Sequence, residues 1–220
     1  MSEKMIKGSY ILMEALKQEG VDTIFGYPGG NIIPVFDALY DYQKEFNYIL
    51  MRHEQAVTHA AEGYARASGK PGVCIVTSGP GATNTITGIG DAMMDSTPMI
   101  VITGQANASS LGTDAFQEID LVGITQPITK WSYQIRRAED IAYAVARAFH
   151  IATTGRPGPV VLDFAKNAQN ELFEFKPQKI SIARGYIPYP DLENKQVEEV
   201  AKLIDESRKP LVLVGQGVIL

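Results

Sequence analysis

The chain has 220 residues, of which 45% are hydrophobic and 20% charged, with a formal net charge of −5. That balance excludes a disordered chain, which needs fewer apolar residues and more net charge, and the length suffices for one large α/β domain plus part of another. There is no basic run and no interleaving of aromatic with basic residues, so nucleic acid is not expected as a partner. No apolar run is long enough to span a membrane. The N-terminus is charged and amphipathic without an apolar targeting core, and the single cysteine, Cys74, lies in the apolar run VCIV and reads as a buried structural thiol. A soluble cytoplasmic protein is expected.

Residues 6–19 place apolar side chains at helical spacing and stop at Gly20, a natural helix end. TIFGY at 23–27 predicts a buried strand running into the turn Pro28-Gly29-Gly30, with Asn31 as N-cap of a helix to residue 42. Further strands are predicted over 48–51, 72–76, 99–103, near 130–135 and over 159–164. Helices are predicted over 54–68, 84–95 and 139–153, with a short one after the long loop 104–118. Short, continuously apolar strands between amphipathic helices predict an α/β fold, a doubly wound parallel sheet with helices on both faces. This domain is assigned residues 1–165. Residues 166–190 are polar, contain Pro177, Pro188 and Pro190, and read as a linker. Residues 191–220 hold a helix and the strand-like run KPLVLVGQG, too little to bury a core, and read as the truncated start of a second α/β domain.

In open α/β sheets ligands bind beyond the carboxyl ends of the strands. The unusual residues fall there: PGG at 28–30, RHEQ at 52–55, TSGPGATN at 77–84 and TGQ at 103–105. TSGPGATN lacks the third glycine of a dinucleotide loop and the Lys-Ser/Thr of a P-loop. Gly79 and Gly81 therefore read as points of close backbone approach. In HEQAVTH, His53 and His59 are six residues apart instead of the four a zinc helix needs, so this pair does not read as a metal site, and no metal ligand is assigned. Glu54 opens a helix behind a strand. A carboxylate there could simply complement the helix dipole, but the small helix behind it (Ala56, Ala60, Ala61, Ala65) predicts tight packing and a buried terminus. A buried carboxylate needs a partner, and a cation or protonated heterocycle would serve.

RHEQAVTHAAEGYARASG, TSGPGATN, GIGDAMMDSTP, TGQ, GTDAFQE, ITK and GRPGPVVLDFAK follow one another as in acetolactate synthase catalytic subunits, and the resemblance runs over residues 4–220. It implies that the first domain has the thiamine-diphosphate-binding fold and binds the pyrimidine half of that cofactor. Glu54 and Gln117 are the implied catalytic residues: Glu54 would hydrogen-bond a pyrimidine nitrogen, and Gln117 would stand near the reacting end. Gly29 and Gly30 join these two as cofactor-binding residues. Ser96 and Arg156 would touch FAD, with which the second domain is associated in this family. Lys130 and Lys166 would lie at the mouth of a substrate channel. The implied reaction decarboxylates pyruvate and joins the product to a second 2-keto acid, in branched-chain amino acid biosynthesis. FAD and Mg2+ are implied for the full-length enzyme, as are a homodimer or homotetramer and a regulatory small subunit. The diphosphate-binding part has no counterpart here, so the chain alone is expected to be inactive. Another thiamine-diphosphate 2-keto acid decarboxylase or carboligase, and a non-catalytic partner-binding module, stand as alternatives. The sequence departs from the family pattern at Asn31, Ala106, Asn107, Trp131 and 165–167, which leaves the second keto acid and inhibitor sensitivity open.

Overall fold

The computed structural model describes residues 5–189 and 191–218. A short strand β1 (Met5–Lys7) leads into α1 (Gly8–Gln18), followed by β2 (Thr23–Tyr27), α2 (Ile33–Asp41), β3 (Asn47–Leu50) and α3 (Glu54–Ser68). Next come β4 (Gly72–Val76), the single turn α4 (Pro80–Thr83), α5 (Ile86–Met94), β5 (Met99–Gln105) and α6 (Leu121–Thr125). The unit continues with β6 (Trp131–Ile135), α7 (Ile141–Thr153), β7 (Pro159–Ala165), α8 (Lys166–Asn170) and β8 (Leu172–Glu174); α9 (Asn194–Glu206) follows.

Six strands form one sheet in the order β3-β2-β4-β5-β7-β6, each neighbouring pair parallel. Side chains alternate across a strand, and this sheet buries both sets. Val73, Ile75, Ile100, Ile102, Val160 and Leu162 share one core with Leu12 of α1, Val35 of α2 and Val145 of α7. Cys74, Val76, Met99, Val101 and Val161 share the other with Val57 of α3, Ile89 of α5 and Leu121 of α6. The α/β sheet covered on both faces is therefore as the sequence predicts. Cys74 is fully buried, and burial pushes its thiol up, so it is inert. Among the described residues no helix is long and apolar enough to cross a membrane.

Several expectations change. Asn31 is not an N-cap: α2 starts two residues later, and the Asn31 amide is drawn instead to Ser78, with Nδ2 2.7 Å from the Ser78 hydroxyl oxygen. The helix predicted over 84–95 forms as α5, while the single turn α4 arises before it, in the stretch read as a loop. The polar segment 166–190 does not behave as a free linker in its first part, because α8 buries Ala168 and Gln169. Gln169 Nε2 donates to the carbonyls of Asn31 and Phe164 at 2.8 and 2.9 Å. β8 then pairs antiparallel with β1, zipping Met5 to Glu174 across the two ends of the domain. Three-residue strands are too short for periodicity to reveal. Ala183 is buried as well, while Pro190 lies outside the described residues. The helix predicted from 194 forms as α9, but no strand forms over 211–215; Leu211 is 84% exposed, and among the described residues no strand flanks it. A strand needs a neighbour to satisfy its backbone.

One polar layer crosses the sheet. Asp163 of β7 is completely buried and accepts hydrogen bonds from Thr103 Oγ1 (3.0 Å), Gln105 Nε2 (3.0 Å) and Gln134 Nε2 (2.8 Å). Three donors favour the carboxylate, but desolvation outweighs them and pushes the group up to about 6. Between its ordinary value and about pH 6 the folded chain thus holds a proton that the unfolded chain has released. Stability contributed at this position falls as pH rises through that window, by on the order of 3 kcal/mol. Asp163→Asn removes the titration. Urea unfolding of parent and variant at several pH values should show the variant gaining on the parent as pH rises from about 4 to about 7, and a pH-independent difference would contradict the assignment.

Candidate functional site

The winding of the sheet reverses at one place. From β2 the chain steps outward to β3, whereas from β4 it proceeds the other way to β5, so the connections leaving the carboxyl ends of β2 and β4 diverge. Such a switch point opens a crevice. The 28–31 turn and the 77–81 loop enclose it. Asn31 N–H reaches Thr77 Oγ1 at 3.3 Å. Gly29 is pressed on Thr77, where a Cβ would lie 2.5 Å from the threonine methyl carbon; around Gly30 there is open space.

Glu54 enters from the side, as the first residue of α3. His53 caps that helix, its Nδ1 accepting the Gln55 N–H at 3.1 Å, and a carboxylate in the first turn complements the helix dipole. Glu54 is only 8% exposed. Asn84 Nδ2 donates to Oε2 at 3.0 Å, and no described residue donates to Oε1. Beside Oε1 stands Gly81, whose Cβ would lie 3.0 Å from that oxygen and 2.7 Å from the Thr77 methyl carbon. One carboxylate oxygen is fixed by the protein, and the other faces a wall kept free of side chains.

Gln117 approaches across Gly79. Gly79 has φ 58°, and a Cβ there would lie 2.8 Å from the Gln117 carbonyl oxygen. Gln117 itself sits at φ 57°, a left-handed conformation uncommon outside glycine. Its loop is held from two sides. Gln105 Nε2 donates to Ile119 O at 2.9 Å, and the Glu118 carboxylate accepts the N–H groups of Gly112 and Ala115, which hold it below the usual carboxylate range. Lys166, at the start of α8, donates to Gly30 O at 3.2 Å. The structure thus brings Gly29, Gly30, Glu54, Gln117 and Lys166 to one end of the sheet.

The other candidates lie at the opposite end, where the strands begin. Arg156 Nε donates to Ser96 Oγ at 2.8 Å, and its Nη2 donates to the Met93 and Met94 carbonyls, both at 3.0 Å, capping the end of α5. Ser96 has φ 57°. The two residues line a pocket of about 430 Å³ together with Tyr189, Gln216 and Gly217. Lys130 is tied to Ile151 O, to Thr154 O at 2.7 Å and to the Tyr186 hydroxyl at 2.9 Å, its three donors spent on holding the end of α7. Lys130 and Lys166 therefore do not meet within this chain. Sequence reasoning overlooked Asn84, Thr77 and the Gln105–Asp163 pair. Asn84 lay inside a motif already singled out, but reads there as a helix start.

Residues 6–124 match the family described as thiamine pyrophosphate enzyme, N-terminal TPP binding domain. The acetolactate synthase large subunit of Parasynechococcus marenigrum is 52% identical over 219 residues, covering 97% of this chain and 35% of that protein. The probable acetolactate synthase large subunit of Methanocaldococcus jannaschii is 49% identical over 219 residues, covering 98% of this chain and 36% of that protein. The acetolactate synthase large subunit of Lactococcus lactis subsp. lactis is 46% identical over 217 residues, covering 98% of this chain and 37% of that protein. The chain spans about a third of the length of the curated relatives it matches.

The glycine contacts make a contrast that can be measured. Gly79→Ala forces a side chain into a left-handed conformation and against the Gln117 backbone, and should lower stability by about 1–3 kcal/mol while exposing the 106–120 loop to limited proteolysis. Gly30→Ala meets open space and should change stability by less than about 0.5 kcal/mol. Equal behaviour of the two variants would remove Gly79 as the support of that loop.

Proposed function

The chain belongs to the thiamine pyrophosphate enzymes, carrying their N-terminal TPP binding domain, and on that premise we propose that it is the N-terminal part of an acetolactate synthase, joining pyruvate to a second 2-keto acid. The observation that carries this reading is the buried Glu54, with one oxygen held by Asn84 and the other without a donor from the protein. An aminopyrimidine fits that arrangement. Its protonated ring nitrogen would give Oε1 the missing hydrogen bond, and Gly81 and Gly29 keep the approach clear of side chains.

Bound thiamine diphosphate would supply the electron sink for decarboxylation and carbon–carbon bond formation. The work of this chain is to hold and polarise. Glu54 would keep a proton at the ring nitrogen, in a buried site where the pairing is strengthened. Asn84 fixes the carboxylate so that its free oxygen points one way. Gln117, held in its strained backbone conformation, would present its amide to the reacting end, and Lys166 would border the entry for an anionic 2-keto acid. Gly29 and Gly30 line the cofactor's path.

At the far end, Ser96 and Arg156 are assigned to FAD. The pocket they share with Gln216 and Gly217 supports this, since a glycine turn allows a ligand close to the backbone. Lys130 is kept as a channel-border residue that acts by holding the end of α7. Magnesium and the diphosphate are assigned to the part of the enzyme that the relatives possess beyond the matched third. A homodimer or homotetramer, with a small regulatory subunit, suits a site that has one open side, rimmed by the exposed Ile33, Leu50 and Phe116. Cytoplasmic localisation is consistent with the buried, unpaired Cys74.

In the enzyme that contains this segment, Glu54→Gln should lower acetolactate formation from pyruvate by at least about 100-fold, and Asn84→Ala should lower it less. Near-parental activity of Glu54→Gln would sink the proposal. Release of free aldehyde in place of acetolactate would instead assign the chain to a 2-keto acid decarboxylase. The 220 residues assayed alone should form no acetolactate.

A further inference from the structure

The crossing of α3 and α5 is very close: a Cβ on Gly88 of α5 would lie 2.2 Å from Thr58 Oγ1 of α3. Beside it the two helices converge three ligand-bearing side chains. His59 Nδ1 lies 3.7 Å from Glu62 Oε2 and 3.6 Å from Asp91 Oδ2, and one donor atom from each residue lies within 4.8 Å of the others. His59 and Glu62 are three apart on one helix face, the spacing by which helices present paired metal ligands; Asp91 comes from the neighbouring helix.

Glu62 is the unexplained member. Its side chain is 5% exposed, and its Oε1 is buried without a hydrogen-bond partner. The nearest guanidinium, that of Arg66, stays 3.9 Å from Oε1 and is engaged by Asp95. The imidazole and Asp91 are open to solvent, with side chains 40% and 51% exposed, so an ion can enter.

We propose that His59, Glu62 and Asp91 bind a divalent transition-metal ion, zinc by preference, that staples α3 to α5. Zinc at about 2.0–2.2 Å from nitrogen and carboxylate oxygen sets neighbouring donor atoms roughly 3.0–3.6 Å apart, so the two separations from His59 Nδ1 are at or within a few tenths of an ångström of that range, and the two carboxylates, within 4.8 Å of each other, are drawn together by the ion. The imidazole selects against magnesium and calcium, which take oxygen ligands. Two carboxylates balance the ion's charge, and the fourth position would be water. This is not the histidine pair that the sequence suggests and rejects, because His53 is spent on capping α3. The ion would brace the helix that begins with Glu54.

The test uses the 220-residue chain stripped with a chelator and titrated with zinc against a chromophoric competitor, with thermal unfolding followed in parallel. One equivalent should bind and raise Tm, and magnesium at the same concentration should do neither. His59→Ala, a change at a half-exposed position that leaves the fold intact, should weaken zinc binding at least about tenfold and abolish the Tm shift, and Asp91→Asn should do likewise. His53→Ala should still bind. Absence of zinc binding by the parent, or parental affinity in His59→Ala, overturns the proposal.

Discussion

The divergence of the chain between β2 and β4 is the constraint on which the candidate site depends. At that gap the 28–31 turn and the 77–81 loop must lie against each other, and Thr77 fills the space between Gly29 on one side and Gly81 on the other. Backbones that approach so closely leave no room for a side chain. The surface that remains is therefore smooth, rigid and shaped by main chain, and it is the wall against which the free oxygen of Glu54 is set. A side chain at Gly81 would meet both Thr77 and that oxygen, so the site and the loop packing stand or fall together.

The winding also sorts charge. In a parallel sheet the helices run antiparallel to the strands, which puts helix N-termini at the carboxyl end of the sheet and helix C-termini at the other. The helix dipole favours an anion at the first and cations at the second. Glu54 starts α3 at the upper end. At the lower end Arg156 and Lys130 bond the last carbonyls of α5 and α7. The two groups of candidate residues are separated by the length of the strands for this reason, and the pocket that Ser96 and Arg156 line is a second place instead of an extension of the first.

Between the two ends the buried Asp163 layer has a cost, since its carboxyl would be easier to keep neutral. It remains as the common acceptor for side chains from β5 and β6, and Gln105, one of its donors, also holds the loop that carries Gln117. A fully bonded polar layer fixes the relative placement of three strands in a way that apolar packing alone does not.

The sequence by itself determined the sheet, its two cores and the place of Glu54. Short, continuously apolar strands, helices with recognisable ends and glycine-rich strand exits are local signals, each readable within a dozen residues. α3 has the bounds that the pattern predicts. The tertiary structure alone decided what those signals touch. Asn31 left its helix because Ser78, 47 positions away, offered a hydroxyl; Asn84 became the partner of Glu54 across 30 positions; the polar residues after 165 stayed on the domain because Gln169 found carbonyls to bond and β8 found β1. The apolar run over 211–215 formed no strand because, among the described residues, no strand lay beside it. His59 gained Glu62 and Asp91 in place of His53 by the crossing of two helices. Local propensity specifies an element, but a hydrogen bond or an ion site needs two groups at a fixed distance, and that distance exists only once the chain is folded.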